Sequence, residues 1–337
     1  MQIIELGAAG LDQFRPSQAP ETELRPGEVR LGMRAASLNF IDLAVATGLY
    51  KAAVYPIVPV ADGAGEVVEV GPEVTDLELG DRVAVHPKAA WIAGRGTAHQ
   101  QRQMMRGVTL PGSLSEFAVV EAASVVKAPD HLSWEQIAAL PICTTTAWNA
   151  LKAGSIGPGS SVALLGTGGL SITALQLAKA AGARVIVTSS SDEKLAAARE
   201  LGADATINYR LTPQWDEQVL KLTDGQGVDL VLETGGAATF ARSLQAIRQC
   251  GTIFTVGFVT GSRAEVDLMD VIVKGARVVG NNTGSVADLT EAMAIVEAHR
   301  ITPLVAQVYE LDELTNAYEA LAGGGHFGKL AVNLDWR

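Results

Sequence analysis

Between residues 161 and 188 the chain passes from an unbroken apolar run, through a glycine-dense turn, to apolar positions at helical spacing. Residues 162–165 read Val-Ala-Leu-Leu, the turn is Gly166-Thr167-Gly168-Gly169, and Leu170, Ala174, Leu177 and Ala181 then recur at +4, +3 and +4. The last spacing predicts a helix with a single apolar stripe. Gly182 is placed to end that helix in a left-handed conformation, and 184–188, Arg-Val-Ile-Val-Thr, predicts a second strand. The alternation continues. Ser190-x-x-Glu193 predicts a capping box opening a helix that reaches Leu201. Strands are predicted over 205–209, 228–233, 252–256 and 277–280, with helices over 214–222 and 240–249. Six strands with intervening helices predict a doubly wound parallel sheet.

The N-terminal part has another rhythm. Short apolar or alternating runs at 29–33, 65–70, 82–85 and 116–120 are punctuated by Pro26-Gly27, Gly71-Pro72 and Gly80-Asp81. These are strand and turn signals and predict a β-rich domain over 1–123. Residues 87–112 show no period and predict a long loop of lid length. From about 286 a helix (288–298), a strand and a helix (311–321) would exceed a six-strand sheet, so the tail is expected to return to the first domain. The expected domains are therefore 1–123 with 286–337, and 124–285.

A chain of 337 residues that is 48% hydrophobic and 19% charged is long and apolar enough for two globular domains. The net charge of −11 argues against nucleic acid or an anionic membrane surface as principal partner. Lys179 and Arg184 interrupt the longest apolar stretch, so no membrane span is expected. Cys143 and Cys250 give neither a disulfide framework nor a paired-cysteine zinc motif. The opening MQIIELGAAG lacks a basic segment followed by a long apolar one, so a cytoplasmic location is the default expectation.

Strand, glycine turn, helix and strand form the βαβ unit that binds dinucleotides. Glycines let the backbone approach a pyrophosphate, and the helix N-terminus offers free N–H groups. Gly166, Thr167, Gly168, Gly169 and Leu170 are the expected contacts. The third fingerprint position holds Ser171 rather than glycine, a residue still small enough for close packing. The second strand ends at Thr188-Ser189-Ser190-Ser191. No acid stands there to take a ribose 2′-hydroxyl, and Ser189 and Ser190 can donate to a 2′-phosphate, with Lys194 adding charge. NADPH is the expected cofactor. The serines would equally serve as helix caps and Lys194 as a solvated position, and Asp192 and Glu193 leave dual specificity open.

The stretches SLNFIDLAVATGLY (37–50), PVADGAGEVVEVG (59–71), GDRVAV (80–85), LPICTTTAWNAL (140–151), 166–195 and GHFGK (325–329) together resemble the medium-chain dehydrogenase/reductase superfamily, most closely its zinc-less branch of quinone oxidoreductases and enone reductases. The resemblance implies an α/β chain with a GroES-like β-rich catalytic domain and a Rossmann domain. It places Asn39, Ala61 and Ile142 where metal-dependent members carry cysteine, histidine and cysteine, so no zinc is expected. Cys143 is one residue from the third position, where a side chain would take another direction. The same resemblance pairs Lys194 with Tyr209 at the 2′-phosphate, and puts Thr146 near a nicotinamide, with Gly257, Phe258 and Asn282 as further cofactor contacts. It brings Lys329 to a phosphate, unless that lysine is merely a surface one. Tyr50, at the family spacing from Asn39 and Asp42, is the implied proton donor, and the amide of Asn39 a second donor; Asp42 also reads as a helix cap. Phe40, Tyr50, Trp91 and Phe258 would form an apolar wall, with Trp148 equally a core residue. The implied function is NADPH-dependent reduction of small apolar α,β-unsaturated carbonyls or quinones. A zinc-less alcohol dehydrogenase or carbonyl reductase, and a cofactor-binding protein without turnover, are the alternatives. A homodimer through the sheet edge at 278–282 is also implied.

Overall fold

A computed structural model describes residues 1–102 and 104–336; Gln103, within the expected loop 87–112, and Arg337 lie outside the described residues. The chain divides into two compact units, Met1–Thr145 with Gly284–Arg337, and Thr146–Thr283. In chain order the first unit has β1 (Gln2–Leu6), β2 (Phe14–Gln18), β3 (Glu28–Leu38), α1 (Phe40–Ala46), β4 (Asp62–Val70), β5 (Arg82–Val85), α2 (Ala98–Arg102), β6 (Phe117–Glu121), β7 (Val125–Lys127) and α3 (Trp134–Ala138). Helix α4 (Pro141–Ala153) straddles the division. The second unit follows with β8 (Ser161–Leu165), α5 (Gly169–Ala180), β9 (Arg184–Ser189), α6 (Asp192–Glu200), β10 (Ala205–Asn208), α7 (Trp215–Leu222), β11 (Val228–Glu233), α8 (Phe240–Ala246), β12 (Ile247–Thr255), α9 (Leu268–Lys274) and β13 (Arg277–Gly280). The tail adds α10 (Val286–Ala298), β14 (Val305–Tyr309), α11 (Leu314–Gly323) and β15 (Lys329–Asn333).

The second unit is the doubly wound sheet that the alternation predicts. Its strands run β10-β9-β8-β11-β12-β13, and every neighbouring pair is parallel. Val162, Ala163 and Leu164 are fully buried, which explains why β8 reads as an unbroken apolar run: helices cover both faces of a parallel sheet. Gly182 does take the left-handed conformation, at φ 78°.

The first unit is a seven-stranded sheet, β14-β15-β3-β4-β5-β7, with β6 also on β3. The tail returns as expected: β15 lies antiparallel to β3, with Leu330 opposite Leu38 and Val332 opposite Ala36. That pairing carries Lys329 to the C-terminal end of β3.

Three expectations need correction. The division falls at 145/146 rather than 123/124, because β7 pairs with β5 and α3 belongs to the first unit; strands of three residues and helices of five are too short to show a period. Residues 87–112 are no free loop. Ala89, Trp91, Met105 and Val108 are buried, and bridges join Lys88 to Met105 and Arg106 to Leu110. The cap of α6 is Ser191, one residue later than predicted, whose hydroxyl accepts from the Lys194 amide at 3.3 Å. Among the described residues no helix is long and apolar enough to cross a membrane.

Candidate functional site

In the second unit the chain leaves β8 at Leu165 and turns through Gly166 at φ 79°, a conformation glycine adopts without cost. Gly168 caps α5 in extended conformation, so the first N–H groups of the helix are unused by its own turns. A Cβ built on Gly166 or on Gly168 meets nothing within 4 Å. The turn therefore borders open space that side chains would fill, in front of a helix N-terminus, which fits a pyrophosphate. Ser171 is more than a packing substitute: its hydroxyl donates to the Leu165 carbonyl at 2.8 Å, and the Thr234 hydroxyl donates to the same oxygen at 2.9 Å. Two side chains thus satisfy the carbonyl at which the strand ends.

At the end of β9 the structure brings four predicted residues to one corner. Ser189 is buried, and its carbonyl accepts from the Tyr209 amide at 3.0 Å. Ser190 and Lys194 are half-buried, and Tyr209 is exposed. Asn208, opposite Ser189 in the ladder, donates through Nδ2 to Asp192 Oδ1 at 2.7 Å. Of the other predicted cofactor residues, Thr146 is buried on α4, while Phe258 and Asn282 are exposed after β12 and β13. Gly257 tolerates no side chain, since a Cβ there would sit 2.1 Å from the Thr234 carbonyl.

Sequence reasoning missed Glu233, which is fully buried at the end of β11. Its carboxylate accepts from the Gly235 amide (2.7 Å), the Gly236 amide (2.9 Å) and the Thr239 hydroxyl (2.6 Å), and from Ser243. Four donors on one carboxylate fix the glycine turn that follows β11. The signal available was an acid ending an apolar strand just before Gly-Gly.

The first unit holds a different arrangement, built at the end of β3. Asn39 caps α1, and Asp42 closes the capping box by accepting from the Asn39 amide at 2.7 Å. The other Asp42 oxygen accepts from the Ala61 amide at 2.8 Å. Asn39 Nδ2 donates to Asp62 Oδ2 at 2.8 Å, and Asp62 also accepts from the Ile142 amide at 3.2 Å. Lys329 Nζ donates to the Leu38 carbonyl (2.8 Å) and to Asn39 Oδ1 (2.7 Å), and stands 3.9 Å from Asp62. Cys143 Sγ is 3.6 Å from Asn39 Oδ1. All are buried. Burial pushes the Asp42 carboxyl up to about 6 and Asp62 up to about 7, with the Lys329 charge opposing both. Burial also raises the Cys143 thiol.

This geometry corrects several expectations. The carboxamide of Asn39 is engaged at both ends inside the protein, so it is no donor to a substrate. Lys329 faces this interior cluster rather than a phosphate, because β15 pairs with β3 and buries it. Cys143, set aside on direction, does face Asn39, whereas Ile142 contributes its backbone N–H. Trp91 is a core anchor and not a wall: its indole donates to the Gly94 carbonyl at 2.9 Å, and its own carbonyl accepts from the Val286 amide at 2.9 Å. Asp42 is the cap that its spacing predicts. Tyr50 is half-buried, its ring against the first unit's core and its amide on the Ala44 carbonyl at 2.9 Å. Phe40, the first residue of α1, is 38% exposed.

Positions 39, 61 and 142 are those at which the resemblance looks for metal ligands. A catalytic site needs three protein ligands, and positions 39, 61 and 142 supply a carboxamide, a methyl and a sec-butyl group. Among the described residues no group of three or more His, Cys, Asp or Glu side chains is arranged to hold a metal ion. The buried cation of the cluster is an ammonium. Val60, which precedes Ala61, is fully buried at φ 71°, a strained conformation for a β-branched residue, costing on the order of 1–3 kcal/mol. It is held there by the Ser113 amide on its carbonyl at 2.8 Å and by Asp42 on the next amide.

Residues 25–130 match the alcohol dehydrogenase GroES-like domain family and residues 169–298 the zinc-binding dehydrogenase family. A zinc-type alcohol dehydrogenase-like protein of Schizosaccharomyces pombe is 40% identical, over 97% of each chain. The crystal structure of an NAD-dependent alcohol dehydrogenase, 30% identical, covers 99% of this chain and 100% of its own with a TM-score of 0.89. The quinone oxidoreductase of Escherichia coli, solved in complex with NADPH, is 25% identical with a TM-score of 0.83, covering 99% and 100%.

Proposed function

The chain belongs to the medium-chain dehydrogenase/reductase superfamily, and we propose that it is an NADPH-dependent, zinc-independent oxidoreductase that reduces small apolar α,β-unsaturated carbonyls or quinones. The observation that carries the zinc-independent reading is the Asn39–Asp62–Lys329 cluster, an amide, a carboxylate and an ammonium in the region where metal ligands would be needed. The NADPH reading is supported by the neutral Ser189-Ser190 end of β9 beside Lys194 and Tyr209. It is supported also by the NADPH complex of the E. coli quinone oxidoreductase.

The bound cofactor supplies the hydride. The second unit would hold it: Gly166, Thr167, Gly168, Gly169 and Leu170 would take the pyrophosphate, and Glu233 keeps the neighbouring glycine turn in place. Hydride arriving at the β-carbon leaves charge on the carbonyl oxygen, which needs a donor and a proton. Tyr50 is the first unit's candidate, with Phe40 offering apolar surface. Asn39 and Lys329 would not touch substrate; they hold the end of β3 and the start of α1, from which Tyr50 follows.

A panel of an enone, a quinone and a simple ketone, read by NADPH and NADH absorbance, tests the reading. Consumption of NADPH with the enone or quinone but not the ketone is expected. Alcohol-dependent NADP⁺ reduction without added metal would instead favour a dehydrogenase, the reading that the S. pombe relative's name supports. Stoichiometric zinc in the purified protein overturns the metal-free part. A homodimer through β13 is proposed on the exposed Val278 of that edge strand and on exposed Leu268, Met269, Ile272 and Val273 of α9; a monomer by light scattering overturns it.

A further inference from the structure

The corner where β9, α6 and β10 meet carries an acid that a phosphorylated cofactor should not tolerate. Asp192 opens α6 and is exposed. It stands two residues beyond Ser190, on the side chosen for the 2′-phosphate. An unrestrained carboxylate there would repel that phosphate, as an acid at the end of the second strand does in NAD sites. It is not unrestrained. Asn208 Nδ2 donates to Asp192 Oδ1 at 2.7 Å, and Asn208 Oδ1 accepts from the Arg210 amide at 3.0 Å. Both ends of one carboxamide are therefore engaged, one on the acid and one on the turn that carries Tyr209 and Arg210. Tyr209 is fixed on its other side by its amide on the Ser189 carbonyl at 3.0 Å. The exposed Arg210 guanidinium belongs to the same turn.

We infer that Asn208 is a specificity-determining positioning residue for the cofactor's 2′-phosphate: it pins the Asp192 carboxylate to β10 and sets the Tyr209–Arg210 turn, so that the corner presents hydroxyls and cations rather than an acid. The inference rests on the NADPH reading. Asparagine is required for its two-sidedness. Aspartate in its place could still accept from the Arg210 amide but could not donate to Asp192, and would add a second negative charge. Alanine would free Asp192 to swing over Ser189 and Ser190.

Dissociation constants of the purified full-length protein for NADPH and NADH, with adenosine 2′-monophosphate as a probe of the corner alone, test this. Wild type should bind NADPH at least about tenfold more tightly than NADH. Asn208→Ala should lower that ratio by roughly fivefold, the scale of one unit charge near 4 Å in a watery site, and Asn208→Asp should lower it further. Asp192→Asn should change the ratio by less than about twofold in the wild-type background and restore it in the Asn208→Ala background, because the acid matters only when released. Equal affinity of wild type for the two cofactors overturns the NADPH reading and this inference with it. A wild type that prefers NADPH overturns the inference alone if Asn208→Ala weakens both cofactors equally, or if Asp192→Asn fails to restore the ratio. The Asp192→Asn single variant removes no backbone contact, so a twofold or greater rise in NADPH affinity in the wild-type background would also overturn the pinning.

Discussion

Each unit buries a carboxylate at a strand terminus, Glu233 as the last residue of β11 and Asp62 as the first of β4, and the two are satisfied in different ways. Glu233 in the second unit has four hydrogen-bond donors, two of them backbone amides two and three residues away. Asp62 in the first unit relies on an amide from residue 39, a backbone N–H from residue 142 and a lysine from residue 329. The Glu233 site is a local one, closed within eleven residues of sequence, and it fixes a turn. The Asp62 site is assembled from four distant segments and leaves a carboxyl at about 7 by burial. Glu233 is satisfied by neutral donors within ten residues of it, whereas Asp62 draws on an ammonium that the β15–β3 pairing brings from the far end of the chain.

The largest effect should come from removing the first unit's cation. Lys329→Met leaves Asp62 without its ammonium and Asn39 Oδ1 without its donor, and should lower stability by about 3 kcal/mol, the lower end for a broken buried pair because Asp62 can protonate. Lys179→Met at the solvent-facing pair with Asp204 (2.8 Å, side chains 33% and 36% exposed) should cost ~0.5 kcal/mol or less. Urea unfolding of both variants checks the contrast, and equal losses would break it.

In the second unit, Glu233→Ala strands two backbone amides and two hydroxyls and should cost about 2 kcal/mol. It should also weaken NADPH binding, since the glycine turn is no longer fixed. Isothermal titration beside denaturation separates the two effects. Undiminished affinity would confine Glu233 to stability.

The activity comparison follows. Tyr50→Phe should lower kcat by about 10²-fold, the range for loss of a positioned acid, while NADPH affinity, which the proposed reading assigns to the second unit, should stay within about twofold. Full activity in the variant removes Tyr50 as the proton donor.

The smallest effect is one of pH. Asp42 and Asp62 have folded pKa values of about 6 and about 7, above the unfolded 3.8. The folded state therefore holds more protons between about 4 and 7, and this contribution to stability is fully present below the unfolded value and lost as pH rises through the folded ones. His86 has the opposite sign. Burial lowers it from 6.5 to about 4, so its contribution is present above 6.5 and lost as pH falls toward 4. Between about pH 4 and 6 the two carboxyls outweigh the one imidazole, so the wild-type unfolding midpoint should fall as pH rises across that range. Asp62→Asn, which leaves Asp42 alone to oppose His86, should flatten the profile over pH 4–6, and His86→Gln should steepen the fall. Parallel profiles for the three proteins would refute the compensation.

The second unit was legible because its physics is periodic. Apolar runs buried on two faces, a helical stripe and glycines at turns are visible one residue at a time, and the Ser189 end of β9 follows from them, whereas the pairing of Lys194 with Tyr209 came from the resemblance. The first unit was legible only in its strands. Trp91 looked like a free aromatic in an aperiodic stretch, but its backbone bonds to Val286, nearly two hundred residues on. Cys143 was discounted on the geometry of a straight chain, yet the first turn of α4 lets residue 142 offer its backbone and residue 143 its side chain to the same cluster. Resemblance put Lys329 at a phosphate; the pairing of β15 with β3 turned it inward.

By itself the sequence determined the element types, the parallel sheet, the glycine cradle and the chemical identity of positions 39, 61 and 142, because each depends on local propensity or on which side chain is present. Only the tertiary structure decided what those side chains do. Whether Asn39 faces a substrate or a lysine, and whether Asp192 faces a phosphate or Asn208, depends on which distant strand lies beside it. Strand neighbours are fixed by burial and pairing over the whole chain rather than by any one segment.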